Sequence, residues 1–165
     1  MRTKLSAVKA EVTPLKTGLE DQGGLARAVA KCLANTHVLL LKTQAYHWNV
    51  AGPMFFAIHN LTEKQYEDLF AAEDVIAERI RALGYPAPLS GKEMIAQADI
   101  SECTRLPAAD EMLSDLISDH ETVSRQFREA IRLAEAAEDF VTADMLTARI
   151  QFHEKVIWML RALNR

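Results

Sequence analysis

The feature that most constrains this chain is a long stretch between residues 54 and 83 that contains no glycine or proline. It carries two pairs of polar residues at a spacing of four, His59 with Glu63 and Asp74 with Glu78. Residues four apart share one face of an α-helix. Neutral imidazole beside carboxylate oxygens suits a divalent metal such as iron, manganese or zinc, and no cysteine lies among them. The stretch therefore predicts one helix that presents metal ligands.

The two pairs are too far apart for one metal ion, yet they lie along one stripe of the helix. The fifteen residues from His59 to Asp74 span about 22 Å at about 1.5 Å per residue. At about 100° per residue, all four side chains fall within about 100° of one another. We expect this stripe to face away from the core of its own subunit, because the core-type residues cluster almost opposite: Ile58, Leu61, Leu69, Ala72, Ile76, Ile80 and Leu83.

Apolar residues on the ligand-bearing face indicate that a second copy of the chain covers it. If two such helices pair antiparallel about a point between residues 68 and 69, the His59 pair of one chain meets the Asp74 pair of the other, and symmetry makes two sites. The sequence therefore predicts a metal site between subunits. The apolar residues that would be poorly placed in water without such a partner are Phe56, Phe70 and Ala77.

The motif around these residues resembles the Dps family of ferritin-like mini-ferritins. It consists of H-W-N-V-x-G at 47–52, His59 twelve residues after His47, and D-x-x-x-E within D-V-I-A-E-R-I-x-x-L-G at 74–84. The chain length and the helix pattern extend the resemblance over nearly the whole chain. One position departs from the family pattern, because Glu63 stands where the family usually has aspartate. The extra methylene moves the carboxylate oxygen by about 1.5 Å, which affects the geometry of a second iron.

The resemblance implies a four-helix subunit that assembles from twofold dimers into a hollow homo-dodecamer. It implies ferroxidase sites at the twofold interfaces, each holding two irons, that oxidise Fe(II), preferably with hydrogen peroxide, and a ferric mineral stored inside. Other divalent metals suit the same ligands. The implied function is iron storage and detoxification that protects DNA from oxidative damage. The implied ligands are His47, His59 and Glu63 from one subunit, with Asp74 and Glu78 from its neighbour.

The rest of the chain predicts an all-α, ferritin-like four-helix bundle at 21–165, preceded by a flexible tail at 1–20. A first helix is expected from about residue 25 to 50, which places His47 in its last turn. The second helix ends at Gly84. Ser-x-x-Glu at 90–93 predicts a short extra helix in the crossover between helices 2 and 3. The third helix is expected to begin at 107–110. We divide it from the fourth helix near 138–141, because a single helix from residue 107 to residue 163 would be about 85 Å long.

Several further residues either allow two interpretations or have an expected structural role. Larger ferritins use Glu-x-x-His repeats inside each bundle, and no glutamate here has histidine three positions on. His120 and His153 lack an acid partner on their helices and are expected to be structural. Tyr46 and Trp48 are expected to pack in the core or at an interface. An acidic cluster fits either a pore that attracts iron, as the resemblance suggests, or a solvated turn: Glu135, Glu138, Asp139 and Asp144.

The N-terminal segment bears on DNA binding and location. Its cations would contact DNA phosphates, as in some Dps proteins, while a solubilising terminus explains them equally well. The segment lacks the apolar core of a signal peptide, and no apolar run is long enough for a membrane, so a cytoplasmic protein is expected, nucleoid-associated if DNA is bound. The cations are Arg2, Lys4, Lys9 and Lys16.

Composition and cysteine content fit a single reduced domain. The chain has 165 residues with a net charge of -4, and Cys32 and Cys103 form no metal-type spacing.

Two alternatives to a ferroxidase stay open. One is a non-catalytic DNA-compacting shell with structural or vestigial metal sites, and the other is a simple helical dimer with a structural metal.

Overall fold

The computed structural model describes residues 11–13, 16–19 and 22–164, and within these residues all regular structure is helical. Helix α1 spans Gly23–Asn49, α2 spans Phe55–Ala82, α3 spans Gly91–Gln97, α4 spans Ala109–Ala136 and α5 spans Phe140–Leu163. Four long helices with a short α3 between α2 and α4 confirm the architecture expected from the sequence. None of the described helices is long and apolar enough to cross a membrane.

Local sequence signals set where these helices begin and end. Helix α2 stops before Gly84, whose φ of 92° is a value that glycine adopts readily. Ser90 caps α3, since its hydroxyl accepts a hydrogen bond from the Glu93 N–H at 3.2 Å. The Asp139 carboxylate caps α5 by accepting from the Thr142 N–H at 3.1 Å. The division between the last two helices is therefore a capped turn, as the length argument required.

Helices α1 and α2 pack antiparallel along most of their length. His37 of α1 contacts Glu73 of α2 at 2.8 Å, and His47 near the other end contacts His59. The short α3 lies against α1. The connection at 50–54 is tight, so the end of α1 meets the start of α2.

Helices α1 and α4 pack against each other, and α5 and its N-cap add ion pairs to α2 between the two halves of the bundle. Helix α5 packs on α4, from which a short turn separates it, and it runs antiparallel to α2, since Arg79 meets Asp139 while Asp68 meets Arg149. Because α4 and α5 are also antiparallel, α2 and α4 run parallel. A parallel pair needs a crossover, which explains the long segment that contains α3.

The bundle core is mainly aliphatic but includes ionisable side chains. Burying such large apolar residues supplies the main driving force for folding. Lys42, His120, His153 and Asp139 are also buried. The largest side chains with less than 2% exposure include Tyr46, Phe127, Leu39, Ile58, Leu69, Ile76 and Leu116.

Asp139 corrects the pore interpretation of the acidic cluster. The residue is only 2% exposed, and both of its carboxylate oxygens accept hydrogen bonds from Arg79 at 2.7 Å. Burial alone would raise the pKa of Asp139, but the hydrogen bonds from Arg79 and Thr142 outweigh it and hold this pKa below its usual value. Asp139 therefore closes a turn and cannot line a pore. The other acidic residues of the cluster are exposed: Glu135, Glu138 and Asp144.

The two aromatic residues beside His47 have different environments. Tyr46 is 2% exposed and belongs to the core, whereas Trp48 is 68% exposed. The core alternative for Trp48 is therefore wrong. Cys32 and Cys103 are free, and burial raises the pKa of the Cys32 thiol to about 12.

The predicted tail lies mostly outside the described residues. Arg2, Lys4 and Lys9 are among residues 1–10, which the structure does not describe, so DNA binding through them stays a prediction. In the described part, the Thr13 N–H donates a hydrogen bond to the Gly84 carbonyl at 3.0 Å. Residues 11–13 therefore run beside the end of α2.

Candidate metal centre

Two of the predicted ligands lie against each other where α1 ends and α2 begins. The imidazole rings of His47 and His59 stack with centroids 3.8 Å apart and an interplanar angle of 18°. His47 is 6% exposed, and His59 is partly exposed. The fold thus brings together two histidines that the sequence separates by twelve residues.

Each of these imidazoles is held by the backbone of the other histidine. Nδ1 of His47 lies 2.9 Å from the carbonyl oxygen of His59, and Nδ1 of His59 lies 2.9 Å from the carbonyl oxygen of His47. A carbonyl oxygen only accepts, so each Nδ1 carries a proton and donates. The neutral ring then keeps its lone pair on Nε2. Both Nε2 atoms are left available to a metal, in the tautomer that such hydrogen bonds usually impose on metal-binding histidines.

Neighbouring aromatic rings restrict how these imidazoles can turn. Tyr66 meets the His47 ring edge-on at 5.1 Å, and Phe55 stacks on the His59 ring at 5.0 Å. The backbone hydrogen bonds and the ring packing together fix both imidazoles before any metal arrives. Such preorganisation favours binding because less conformational freedom is lost.

The three predicted carboxylate ligands lie on the outward surface of α2. Glu63 is partly exposed, and Asp74 and Glu78 are exposed. Because α2 is continuous from Phe55 to Ala82, Asp74 lies about 22 Å along the axis from His59. The fold therefore does not bring the five predicted ligands together in one subunit.

One subunit presents two incomplete ligand sets. Within residues 11–13, 16–19 and 22–164, no three or more histidine, cysteine, aspartate or glutamate side chains form a group that could hold a metal ion. This agrees with the separation calculated from the sequence. A complete site requires ligands from elsewhere.

Exposed aromatic residues lie beside the ligands and form what we call the aromatic face. Trp48, Phe56 and Phe70 are 68%, 77% and 68% exposed. Phe56 and Phe70 stand on the same stripe of α2 as the predicted ligands. Large exposed aromatic side chains grouped in this way mark a surface that another protein covers.

A second apolar surface, which we call the turn patch, lies where α5 begins. It consists of Val75, Phe140 and Val141, which are 53%, 72% and 64% exposed. These side chains line a groove of about 600 Å³ together with Met145 and the predicted ligand Glu78. Val75 is about 100° around α2 from Phe56 and about 140° from Phe70, so the turn patch and the aromatic face point in different directions.

The sequence reasoning missed two features of the interior. It did not foresee that the histidine ligands hold each other through backbone carbonyls. It expected His120 and His153 to be structural but not that they contact each other, with Nδ1 atoms 2.8 Å apart. They stand 33 residues apart on different helices, so no spacing rule on one helix could have paired them.

Known proteins resemble this chain in sequence and in fold. The chain matches the model of the ferritin-like domain family over residues 27–165. It is 38% identical to an uncharacterized low temperature-induced protein of Nostoc over 146 residues, which cover 87% of this chain and 81% of that protein. It is 35% identical to the DNA protection during starvation protein of Brevibacillus brevis, over 79% of this chain and 87% of that protein.

A solved structure agrees with these relationships. The Dps protein from Vibrio cholerae, a member of a broad superfamily of ferritin-like diiron-carboxylate proteins, matches with a TM-score of 0.87 at 30% identity. The match covers 97% of this chain and 100% of that chain. With the family match and the sequence identities, this shows that the chain belongs to the Dps family of ferritin-like proteins.

Proposed function

We propose that this protein stores and detoxifies iron as a Dps-type shell. In this proposal Fe(II) is the substrate, hydrogen peroxide is the preferred oxidant, and the oxidation takes place at sites between twofold-related subunits. Each site takes His47, His59 and Glu63 from one subunit and Asp74 and Glu78 from the neighbour. Ferric mineral then collects inside the assembly, and DNA is protected because both iron and peroxide are removed.

The observation that carries the proposal is the reciprocal hydrogen bonding of His47 and His59. It occupies Nδ1 of both rings, so that in a neutral imidazole the lone pair lies on Nε2, the atom that can bind iron. The exposed carboxylates of Asp74 and Glu78 complete the ligand set once a second copy supplies them.

The reaction that these ligands support is a two-electron oxidation. Two Fe(II) ions give up one electron each to one hydrogen peroxide molecule, its O–O bond breaks, and two protons complete two water molecules. Because both electrons are delivered together, no hydroxyl radical is released. Hard carboxylate oxygens favour Fe(III) over Fe(II), which promotes the oxidation. Each Fe(III) then reacts with two water molecules to give FeOOH and three protons.

The proposed assembly uses both apolar surfaces. Pairing through the aromatic face places His59 and Glu63 of one subunit against Asp74 and Glu78 of the other, by the antiparallel register of α2. One isologous contact makes only a dimer, so a dodecamer needs a further contact. We assign that contact to the turn patch, because Phe140 and Val141 are exposed in the subunit and lie on α5, whereas the proposed dimer contact is made by α2.

The test is oxidation by stoichiometric peroxide after anaerobic loading with Fe(II). We expect rapid ferric absorbance in the wild type and its loss in Asp74→Ala with Glu78→Ala. The matched control replaces two exposed acids outside the stripe, Asp110→Ala with Glu129→Ala, and should oxidise iron at the wild-type rate. Light scattering confirms that each variant assembles. Equal rates in all three proteins would contradict the proposed site, and slow oxidation in all three would favour a non-catalytic DNA-binding shell.

A further inference from the structure

The buried contact between His120 of α4 and His153 of α5 plays no part in the proposed iron chemistry. Both residues are 0% exposed, and their Nδ1 atoms lie 2.8 Å apart. Phe127 packs edge-on against His153 at 5.4 Å, and Phe152 lies 6.2 Å from the ring of His120. Aromatic rings thus enclose a polar contact that joins the last two helices.

This contact excludes protonation of both rings. A hydrogen bond between two Nδ1 atoms needs one ring to donate its N–H and the other to offer a lone pair. If both rings were protonated, both Nδ1 atoms would carry hydrogens and would repel each other. Neither Nε2 atom has a hydrogen-bond partner among the described residues, so an added proton there would have no acceptor. A charge on either ring would be buried without compensation.

The charged groups around the pair oppose protonation further. Arg149 precedes His153 by about one turn of α5, and its guanidinium binds Asp68 of α2 at 2.5 Å. Burial first, and then the positive charge of Arg149, lowers the pKa of His120 to about 3 and that of His153 well below its usual value. The buried cation of α1 is already neutralised by α4, since Lys42 pairs with Asp115 and Asp119.

We propose that the His120 and His153 pair is an acid-sensitive lock, which holds α4 against α5 at neutral pH and releases them in acid. Helix α5 begins at the turn patch, its N-cap residue Asp139 pairs with Arg79 of α2, and its Arg149 pairs with Asp68 of α2. Loss of the lock would therefore loosen the whole C-terminal half of the bundle. The inference concerns the fold of the subunit and stands whether or not the protein oxidises iron.

In the unfolded chain His120 and His153 bind protons at a pH where they stay unprotonated in the folded chain, and this difference drives the release. An unperturbed histidine has a pKa of about 6.5, so below that pH the unfolded state binds a proton at each position. The ratio of folded to unfolded protein falls by up to about tenfold per pH unit for each histidine. Between about pH 6.5 and 4.5 the pair alone lowers this ratio by up to about 2,500-fold, which rivals the whole stability of the less stable domains.

The effect on stability of the carboxylates with a shifted pKa depends on pH differently from that of the His120 and His153 pair. The stabilisation from Asp139 is lost only as the pH falls below its unfolded value of 3.8. Burial raises the pKa of Glu73 and Asp119, so their protonation favours the folded state as the pH falls. A loss of stability that begins near pH 6.5 therefore points to histidine.

The test compares urea unfolding at about pH 7, 6 and 5, followed by circular dichroism at one fixed protein concentration. The main variant is His120→Leu with His153→Leu, since replacing both partners by apolar groups leaves no unpaired atom. A second variant, His120→Asn with His153→Gln, keeps polar side chains that do not titrate, and it decides the question if the first does not fold. His37→Gln is the matched control, because it removes a histidine outside the lock.

We expect the folded-to-unfolded ratio of the wild type to fall by up to about 100-fold per pH unit below pH 6.5, and His37→Gln to follow it. The non-titrating variants should lose most of this dependence and stay folded at a pH where the wild type unfolds. The proposal is overturned if these variants lose stability as steeply as the wild type. It is equally overturned if the wild type shows no loss between pH 6.5 and 5.

Discussion

Glu63 is the proposed ligand whose side chain differs in length from the aspartate that the family usually has at this position. It sits one turn after His59 on α2 and is partly exposed, so its longer side chain has room to reach toward a second iron. Its carboxylate is the only negative ligand that the proposal takes from the histidine-bearing subunit. The occupancy of the second iron position should therefore depend on this charge.

Changing Glu63 to glutamine removes the charge and keeps the shape. We expect anaerobic calorimetric titration to give one Fe(II) per site in Glu63→Gln, in place of the two proposed for the wild type. Glu63→Asp is the matched control and should still take two, because the charge remains. Two Fe(II) per site in Glu63→Gln would remove this residue from the ligand set.

Asp139, also a single residue, contributes to the stability of the fold rather than to the proposed metal site. Asp139→Asn should lower the free energy of unfolding at neutral pH by about 3 kcal/mol, because it leaves the partly buried Arg79 without its charge partner. The pKa of Asp139 is held low, so its contribution is present above its unfolded value of 3.8 and is lost below it. Denaturant unfolding should therefore show the difference between the two proteins shrinking as the pH falls below 3.8, while exposed Glu138→Gln tracks the wild type throughout.

At the scale of elements, the sequence predicted the helices well and their mutual contacts poorly. The order, approximate bounds and caps followed from local signals, such as Ser90 before α3 and the absence of glycine or proline within α2. Contacts between helices depend on packing angles that one helix does not encode. For that reason neither sequence interpretation of Asp139, a pore or a solvated turn, included its burial against Arg79, which lies 60 positions away on another helix.

A buried ionic cluster between α1 and α4 illustrates such a contact. Lys42 is 5% exposed at its side chain and lies 2.6 Å from Asp119 and 3.2 Å from Asp115, which also accepts a hydrogen bond from Tyr46. Burial raises the pKa of Asp119, although Lys42 opposes this effect. The stability of the pair therefore depends on both partners being present.

Removing one partner of the Lys42 and Asp119 pair should lower the stability of the subunit more than removing both. Lys42→Met should destabilise the subunit by about 3 kcal/mol, because the Asp119 carboxylate stays buried without its cation. Adding Asp119→Leu should recover most of this loss, since an apolar pair has no unmet charge. Chemical unfolding of the two single variants and the double variant measures the coupling, and additive losses would contradict the account.

At the scale of the whole molecule, two apolar surfaces that point in different directions suggest two kinds of contact between subunits. Phe140→Asp with Val141→Asp places charges on the turn patch, at side chains that are 72% and 64% exposed in the subunit. We expect light scattering to find dimers that still oxidise Fe(II) with peroxide but cannot keep the ferric product in solution. A variant that still forms the full assembly would show that this patch is not a contact.

The central claim is that each oxidation site combines ligands from two chains, and mixing two inactive variants tests it most directly. His59→Ala destroys one half of every site, and Asp74→Ala with Glu78→Ala destroys the other half. Unfolded together in equal amounts and refolded, the two chains form mixed dimers in which one of the two sites is intact. Random pairing therefore predicts recovery of about a quarter of the wild-type peroxide-driven oxidation, while each variant refolded alone stays inactive. No recovery from a mixture shown by mass to contain mixed dimers would contradict the account.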